Sequence, residues 1–510
     1  MHIPGLLGRP FEIAINLETR ILSLFPFNSR ITQQWSLDAS RVKHSRKCMA
    51  LNYPFWAMGQ SVHTHPLKLE ANREQTTAIP CTKRKERELM RSAKNTALVA
   101  LSIITCCLTI VDTGHATTIR VGQPNTACTQ AQYTTITAAV NAANPGDVIE
   151  ICPALYAEQL VISKPLVLRG ITTNVNIQQF LPCCNRVDRV LLQPTLQDLQ
   201  DLPFEAVITV MNTEDVTIEN LAIDASRNTV TSCDIALSAV HFFNASGSLK
   251  KSAVFGAQLS NPQSCPTFFG NGFGVVVDSS ESGPFQVKIR DNSIHDYQRD
   301  GIEVSNAGVS VEIEGNNISG LGPAFGINQF GVFLLNGAVG EIEGNVITEG
   351  PCGALSITDC VNLRSEGVVL RAVGDGVVVN HNVINHVQSG IFLNAVNAAH
   401  ITNNLIGNID AFDGIDMQGT SNTLVDGNTI FNATPLQNLS EGVFEAPGPG
   451  SAGGIEANNV ISNNTVNDAY SGVIFVSSSH VSRGRYSNVL YPELLSNGQP
   501  GPPPTEPPLP

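Results

Sequence analysis

Hydrophobic and polar positions alternate over short runs through much of the second half of the chain. Examples are Val311-Glu-Ile-Glu314 and Gly390-Ile-Phe-Leu393, in which inward aliphatic positions are interleaved with polar or aromatic ones. This alternation is typical of half-buried β-strands, and no run in the region has a helical period. The pattern therefore predicts many short strands and no helix there.

An asparagine stands two residues before a β-branched aliphatic residue at regular places along this region. The instances are Asn292/Ile294, Asn316/Ile318, Asn345/Ile347, Asn382/Ile384, Asn404/Ile406, Asn428/Ile430 and Asn464/Val466, spaced by 24, 29, 37, 22, 24 and 36 residues. A period of 22 to 24 residues with inserted loops predicts a solenoid, because one such coil cannot bury its own apolar side. We expect the asparagines to stack as a ladder that joins one coil to the next at a bend.

Each instance is followed by a glycine with Ile or Val after it, which predicts a unit of strand, turn and strand. We assign these glycines as Gly301, Gly331, Gly376, Gly390, Gly414, Gly454 and Gly472. The second residue after each glycine should then point outward, in a row of Glu303, Phe333, Val378, Phe392, Asp416, Glu456 and Ile474.

Taken together, these motifs resemble the right-handed parallel β-helix of the pectin lyase-like superfamily, in its bacterial secreted type, over Thr117 to Ser482. The segment from Tyr133 to Gly170 also resembles the opening segment of pectin methylesterases and of many bacterial β-helix proteins. The resemblance implies an all-β solenoid with an N-terminal amphipathic capping helix. Ile136, Ala139, Val140 and Ala143 would form the apolar side of that helix.

The motifs that carry catalysis in related families do not occur. The chain lacks the Asn-Thr-Asp and Gly-His-Gly pattern of polygalacturonases and the Gln-Asp-Thr-Leu pattern of pectin methylesterases, as well as the Asp-Pro-His-Asp pattern of alginate epimerases. The resemblance therefore implies a fold and transfers no catalytic residues.

The chain divides into five segments by composition. Residues 1–89 are predicted to be a non-native or disordered leader, 90–116 a signal peptide, 117–170 the cap and first coils, 171–482 the β-helix and 483–510 a Pro-rich disordered tail. The signal peptide is indicated by a basic start, an apolar stretch from Ala97 to Val111 and a small-x-small sequence ending at Ala116. We expect a secreted or extracellular protein, with the periplasm or cell surface as alternatives, that does not span a membrane after cleavage.

Charge limits the classes of partner. From Thr117 onward there are 15 basic and 36 acidic residues, a net charge of −21. Such a surface disfavours nucleic acids and repels an acidic polysaccharide, whereas neutral glycans are compatible with it.

Eight cysteines follow the predicted signal peptide, an even number that favours disulfides in an oxidising compartment. We expect Cys128 to pair with Cys152, and Cys352 with Cys360. Cys183 and Cys184 would have partners elsewhere, with Cys233 and Cys265 as candidates.

Candidate chemistry lies in the outward row. Asp416 and Glu456, if adjacent, would form a carboxylate pair suited to glycoside hydrolysis, with Asp413 at the strand entrance and with Phe392 and Phe333 as platforms for a sugar ring. Asp300 and Arg299 form a second, weaker candidate, about four coils or roughly 19 Å from Asp413. Solvated acidic positions and turn caps explain the same residues without catalysis.

No cofactor is expected. Calcium is a candidate ligand because Asp410, Asp413 and Asp416 supply oxygen atoms. Two functions follow: a secreted protein that binds or processes extracellular carbohydrate, as a polysaccharide hydrolase or lyase if it is an enzyme, or a noncatalytic cell-surface or adhesive solenoid. If the insertions Pro351 to Gly376 and Phe431 to Gly454 wall a groove, the first is favoured.

Overall fold

A right-handed parallel β-helix forms the described part of the protein, as the asparagine and glycine patterns predict. The computed structural model describes residues 116–124, 128, 130–171, 190–196, 204–228, 230, 235–259, 271–322, 328–350, 364–409, 412–433, 441–446, 458–467, 469, 471–475, 479–486 and 491–492. Within these residues, parallel pairing joins the strands into one sheet of 23 strands and one of 12.

The larger sheet is bent into two halves, here called sheet 1 and sheet 2. Two long strands, Phe204–Glu219 and Ala236–Lys250, run through the bend and contribute to both halves. The other strands of sheet 1 are Leu160–Ile162, Phe273–Asp278, Asp300–Ser305, Gln329–Leu335, Ser365–Arg371, Ser389–Asn394, Ile415–Gln418, Glu441–Ala446, Ser471–Phe475 and Tyr491–Pro492.

Sheet 2 and the smaller sheet, here called sheet 3, complete a three-sided prism. The other strands of sheet 2 are Thr118–Val121, Val148–Ile151, Leu166–Gly170, Phe285–Arg290, Val309–Glu314, Val339–Glu343, Val378–Asn380, His400–Thr402, Leu424–Asp426, Val460–Ser462 and His480–Ser482. Sheet 3 contains Ala154–Tyr156, Val190–Leu192, Ala222–Asp224, Ala253–Phe255, Ser293–His295, Asn317–Ser319, Val346–Thr348, Val383–Val387, Leu405–Ile409, Thr429–Ala433, Thr465–Val466 and Arg485–Tyr486.

The predicted asparagine ladder lies inside the prism, at the corner between sheet 2 and sheet 3. The side-chain amide of each asparagine donates to the Oδ1 of the next, from Asn292 to Asn464, over 2.9 to 3.0 Å. From Asn316 onward, each Oδ1 also accepts the backbone N–H of the preceding ladder asparagine, and the Asn292 Oδ1 accepts that of Ser252. The ladder thus satisfies buried backbone and side-chain groups at a corner where no strand pairing is available.

The bend falls on the residue before each ladder asparagine. Those residues have left-handed backbone angles, with φ from 54° to 68°, and are Asp291, Gly315, Gly344, His381, Asn403, Gly427 and Asn463. Gly, Asn and Asp tolerate this conformation better than other residues, which explains the sequence pattern.

Aliphatic side chains from the three sheets fill the interior. The β-branched residue two positions after each ladder asparagine is fully buried, from Ile294 to Val466. Opposite it stands a glycine of sheet 1: a Cβ at Gly301 would lie 2.6 Å from Ile318 Cγ2 and 2.6 Å from the Gly331 oxygen. The glycine is therefore required by the close approach of sheet 1 to sheet 3.

Near the start of the described chain a short helix, Ile136–Ala142, packs its apolar side into the core through Ile136, Ala139 and Val140. The Thr135 side chain accepts from the Ala138 backbone, and the Glu158 carboxylate accepts from the first backbone N–H groups of the helix. The helix therefore forms where the sequence predicts it, and its function as a cap stays a prediction.

The outer surface of sheet 2 is held by ion pairs between successive coils. Arg120 and Glu150 are 2.7 Å apart, and Lys250 and Glu219 are 2.9 Å apart. In the strand register, Arg290 is the partner of Lys250 on one neighbouring strand and of Glu314 on the other. Exposed pairs of this kind contribute about 0.2 to 1 kcal/mol each, so this face stabilises the coils modestly.

Candidate functional site

The outer surface of sheet 1 collects acidic and aromatic side chains. Strand register aligns one outward residue of each coil into a row, here called the central row. It reads Thr209, His241, Val276, Glu303, Phe333, Val369, Phe392, Asp416, Phe444 and Ile474. Its flanking residues, such as Ile415 and Met417, point into the core.

A second row, here called the entry row, consists of the residue before the glycine position of each coil. It contains Ser238, Phe273, Asp300, Phe330, Glu366 and Ser389, followed by Asp413, Glu441 and Ser471. Asp300 and Asp413 occupy equivalent places in this row, with three strands between them, as predicted from the sequence.

The predicted register was wrong at two coils. Asp416 pairs with Phe444, so Glu456 is not its neighbour in the central row, and Glu456 itself lies outside the described residues. Val378 lies in sheet 2, where it pairs with Glu341 and His400. The glycines of these coils are Gly367 and Gly442, because insertions of different length hid the true spacing.

Phe333, Val369 and Phe392 form a compact apolar cluster on the outside of the prism. Phe333 is 3% and Phe392 is 7% exposed, and Phe330 packs edge-on against Phe333 with ring centroids 5.2 Å apart. The two predicted platform residues, Phe333 and Phe392, therefore lie two strand spacings apart, and Phe392 is on the strand next to that of Asp416.

Asp416 lies next to Phe392 and is 6% exposed. Burial raises the pKa of its carboxyl to about 7, the positive charge of Arg364 opposes this shift, and the nearby Glu366 charge reinforces it. Its Oδ2 accepts a hydrogen bond of 3.0 Å from Gln418 Nε2, and its Oδ1 has no hydrogen-bond partner among the described residues. Asp416 can therefore change its protonation state near neutral pH.

Asp413 is the second acid of this site. Burial raises its pKa well above the usual range, and both a hydrogen bond with the Glu441 side chain and the charge of Asp416 add to the shift. Its Oδ1 accepts from the Glu441 backbone N–H over 3.0 Å. Burial thus favours the protonated form of Asp413 as it does that of Asp416.

Arg364 and Glu366 complete the site, and the sequence analysis missed both. Arg364 Nη1 lies 3.2 Å from Glu366 Oε1, and the guanidinium carbon lies 5.7 Å from the Phe392 ring centre and 5.1 Å from the Phe412 ring centre. Burial raises the pKa of Glu366, against the lowering effect of Arg364. An acid directly before Gly-Val, as in Glu366-Gly367 and Glu441-Gly442, was the available signal.

The weaker predicted candidate, Asp300 with Arg299, lies at the other side of the aromatic cluster. Arg299 Nε is 3.6 Å from Asp300 Oδ2, and its guanidinium carbon is 5.4 Å from the Phe273 ring centre. Burial raises the Asp300 pKa well above its usual range; the Arg299 charge lowers it, and Glu303 raises it further. This arrangement repeats, in Asp300-Gly-Ile-Glu303, the local design of Asp413-Gly-Ile-Asp416.

A further buried acid, Glu349, lies on the interior side of sheet 1, close to Asp300. The fully buried Tyr297 hydroxyl donates to Glu349 Oε1, and burial raises the Glu349 pKa to about 8. The Tyr297 hydrogen bond opposes that shift. Glu349 approaches Gly331 from the interior, so it does not contact a ligand on the outer surface.

The remaining predictions have mixed outcomes. Cys128 and Cys152 form the expected disulfide, whereas Cys352, Cys360, Cys183, Cys184, Cys233 and Cys265 lie outside the described residues, as does Asp410 of the calcium prediction. In the part of the chain that the structure describes, no group of three or more His, Cys, Asp or Glu side chains is arranged to hold a metal ion. Helices among these residues are too short or too polar to cross a membrane.

Residues 267–482 match the family described as "Right handed beta helix region". With the stacked parallel strands, this match confirms the predicted right-handed parallel β-helix fold. No curated protein matches the sequence.

Solved structures similar to the chain include the ORF18 protein of Geobacillus virus E2, with 12% identity, a TM-score of 0.35 and coverage of 70% of this chain and 57% of that one. Another is the tailspike protein gp49 of Acinetobacter baumannii bacteriophage Fri1, a capsular polysaccharide depolymerase, with 11% identity, a TM-score of 0.35 and coverage of 71% and 58%. A third is the alginate lyase AlyF-OU02 in complex with G6, with 12% identity, a TM-score of 0.40 and coverage of 76% and 91%. The chain spans less than two thirds of the length of the two viral proteins.

Proposed function

We propose that this protein binds and processes a neutral extracellular carbohydrate on the outer surface of sheet 1. The observation that carries the proposal is the pairing of Asp416, whose pKa is raised to about 7, with Phe392 on the neighbouring strand. An acid that titrates near neutrality beside an aromatic ring suits general acid–base chemistry on a sugar, whose C–H face packs on the ring.

We assign the two aspartates the two roles of a carboxylate pair. Asp413, whose pKa burial raises well above its usual range, is the proton donor to the leaving oxygen. Asp416, which ionises near pH 7, is the base or nucleophile on the other side of the scissile bond. Arg364 is a positioning residue, because its charge keeps the Asp416 pKa from rising further.

Charge favours a neutral substrate. The residues from Thr117 onward carry a net charge of −21, and the outer surface of sheet 1 adds Glu303, Glu366 and Glu441 to the two aspartates. Arg364 is paired with Glu366 at 3.2 Å and Arg299 lies 3.6 Å from Asp300, so these two positive charges face protein carboxylates. A third, Arg371, is also close to Glu366. A polyuronate would add negative charge to a site that already repels it.

The two inserted segments are attached at both sides of this site. Residues 351–363 lead into the strand Ser365–Arg371, and residues 434–440 lead into Glu441–Ala446, on either side of Asp416 in strand order. The insertions predicted from the sequence, Pro351 to Gly376 and Phe431 to Gly454, lie in part outside the described residues, and the groove that they would wall stays a prediction.

Export from the cytoplasm is part of the proposal. The Cys128–Cys152 disulfide supports an oxidising compartment, in agreement with the signal peptide predicted at residues 90–116.

The test is a screen of the full chain, exported through an oxidising compartment, against neutral and acidic glycans, with both retention and new reducing or unsaturated ends measured. We expect neutral glycans to be cleaved and the Asp416→Asn and Asp413→Asn variants to lose at least about a hundredfold in rate. Asp375→Asn is the matched control, since Asp375 is exposed and contacts Asn397 across a sheet corner. Binding without products would favour the adhesive alternative, and cleavage unaffected by both site variants would refute the site.

A further inference from the structure

A third outward row, here called the exit row, lies two positions after the central row on the strands of sheet 1. Strand register aligns in it Ser305, Leu335, Arg371, Asn394, Gln418 and Ala446. Two of these six residues carry an amide, and they are neighbours. Asn394 follows Phe392 by two residues and Gln418 follows Asp416 by two, so both amides border the candidate site.

The two amides are more accessible than the residues that they border. Phe392 is 7% and Asp416 is 6% exposed, whereas Asn394 and Gln418 are half-buried at the edge of the sheet. A ligand that approaches this face can therefore contact the amides directly.

Backbone pairing holds both residues at the ends of their strands. The Asn394 oxygen accepts from the Ala372 N–H over 2.8 Å, and the Gln418 oxygen accepts from the Ala395 N–H over 2.9 Å. Ala395 and Gly419 have left-handed backbone angles, with φ of 54° and 63°, and turn the chain away from sheet 1 directly after each amide. The two side chains therefore start from rigid positions about 4.8 Å apart.

Gln418 contacts the candidate site directly. Its Nε2 donates to Asp416 Oδ2 over 3.0 Å. An ionised carboxylate only accepts, so the amide nitrogen faces it and the amide oxygen of Gln418 stays an acceptor. Burial raises the pKa of Asp416, and the hydrogen bond from Gln418 opposes that shift because it stabilises the ionised form.

Asn394 supplies the second amide, with two N–H donors and one acceptor oxygen. Together the two amides present donors and acceptors at neighbouring positions of the surface without a charge of their own. Adjacent hydroxyl groups of a sugar ring both donate and accept, so they complement such a pair. An ion would find no opposite charge in it.

We propose that Asn394 and Gln418 bind two adjacent hydroxyl groups of the glycan, and that Gln418 also positions the Asp416 carboxylate. The inference rests on the proposed function and deepens it, because it names the residues that select the sugar at the accessible edge of sheet 1. Asn394 is a binding residue, and Gln418 is both a binding and a positioning residue.

Binding is tested by electrophoresis of the full chain through gels that contain dextran, galactomannan or xyloglucan, with Asp416→Asn as the background that leaves the polymer intact. We expect at least one polymer to retard the background protein and Asn394→Leu to raise its dissociation constant about fivefold. Asn385→Leu is the matched control, since Asn385 is equally half-buried but lies on the outer surface of sheet 3. It should be retarded like the background.

Cleavage of the same polymers separates the two roles. Gln418→Met keeps the length of the side chain and removes the hydrogen bond to Asp416, so kcat should fall about tenfold and the acidic limb of the pH profile should move to higher pH. Asn394→Leu should raise KM about fivefold and leave kcat and the acidic limb unchanged. Gln418→Ala and Asn394→Ala are the second variants, should the larger side chains lower the thermal midpoint.

The charged groups around Asp416 are the same in both variants, namely Arg364, Glu366, Asp413 and Glu441. A moved acidic limb in Gln418→Met therefore reports the lost hydrogen bond. Gln286→Met is its matched control, because Gln286 Nε2 donates to Glu312 Oε1 over 3.4 Å on the outer surface of sheet 2. It should behave as the wild type does.

Wild-type retardation and KM in Asn394→Leu, or a wild-type kcat and acidic limb in Gln418→Met, would overturn the proposal. If Asp416→Asn then still abolished cleavage, the proposed function would stand without this inference. If cleavage were unaffected by Asp416→Asn, the acid–base site would fall, and weaker retardation of Asn394→Leu would still support the amide pair as a binding site. If no polymer were retarded or cleaved, both proposals would fall.

Discussion

Asn345 and Asn382 are joined by a hydrogen bond of 2.9 Å from Nδ2 to Oδ1, although 37 residues separate them in the chain. Asn345 also accepts from the backbone and side chain of Asn316 and donates to the Ile313 oxygen. Asn345→Ala removes these four hydrogen bonds from a fully buried place, so we expect a loss of about 3 to 5 kcal/mol in the free energy of unfolding.

The measurement is chemical denaturation of the variant and the wild type, with the dependence of the unfolding free energy on denaturant concentration unchanged between them. The control is Asn317→Ala, two positions after a left-handed turn residue but on the exposed side of sheet 3, which should cost less than about 1 kcal/mol. Equal losses for the two variants would contradict a stabilising role of the ladder.

Activity should depend on pH through the two aspartates. The rate constant kcat/KM should rise with pH up to about 7, because Asp416 must lose its proton to act as a base. It should fall at higher pH as Asp413, whose pKa is raised well above its usual value, also ionises. A profile that is flat from pH 5 to 9 would exclude the assigned roles.

Arg364 should tune this profile without taking part in bond cleavage. In Arg364→Gln the Asp416 pKa loses its main opposing charge, so the acidic limb of the profile should move to higher pH by about one unit. Arg364→Lys keeps the positive charge, so its acidic limb should lie close to that of the wild type. Arg485→Gln, an exposed position on sheet 3, serves as the control, and an identical limb in Arg364→Gln and the wild type would rule out the electrostatic effect.

Glu349 should make the protein less stable at alkaline pH. Its folded pKa of about 8 lies above the ordinary 4.5, so the folded state binds more protons between these values and stability falls as pH rises through that window. Glu349→Gln should therefore gain about 2 to 4 kcal/mol relative to the wild type at pH 9 and little at pH 4.

Thermal midpoints across this pH range measure the difference. Glu343→Gln is the control, since the Glu343 side chain is 49% exposed, and it should follow the wild type at each pH. If the thermal midpoints of the wild type and Glu349→Gln changed in parallel with pH, a raised pKa of Glu349 in the folded state would be contradicted.

Substitution of glycines tests the corrected register. A Cβ at Gly367 would lie 2.4 Å from Ile384 Cγ2 and 2.7 Å from the Gly390 oxygen, whereas a Cβ at Gly376 would meet nothing within 4 Å. Gly376 has a φ of +83°, so Gly376→Ala should cost only about 1 kcal/mol. Gly367→Ala should cost at least about 2 kcal/mol more in denaturation midpoints, and the reverse order would contradict the register.

The sequence was sufficient for the ladder, because each ladder asparagine is followed two positions later by a buried aliphatic residue with little variation. The glycines of sheet 1 were harder to assign, because insertions separate them from the asparagines by unequal distances. Gly376-Val377 and Gly367-Val368 look alike as letters, and only the fit against Ile384 distinguishes them. Glu366 was missed because the glycine of its coil was assigned as Gly376, which hid the acid directly before Gly367. Arg364 stands before the first residue of its strand, where no periodic pattern marks it.

The bend shared by Phe204–Glu219 and Ala236–Lys250 has a consequence for how this architecture can vary. These two strands turn the corner from sheet 1 to sheet 2 without a break, whereas the corresponding corner of a later coil holds residues 447–459 between its two strands. The corner beside the candidate site can therefore change length while the ladder, the glycines and the aliphatic interior keep their places. The coils thus form a constant frame, and binding specificity can be exchanged by grafting segments at the two corners that border sheet 1.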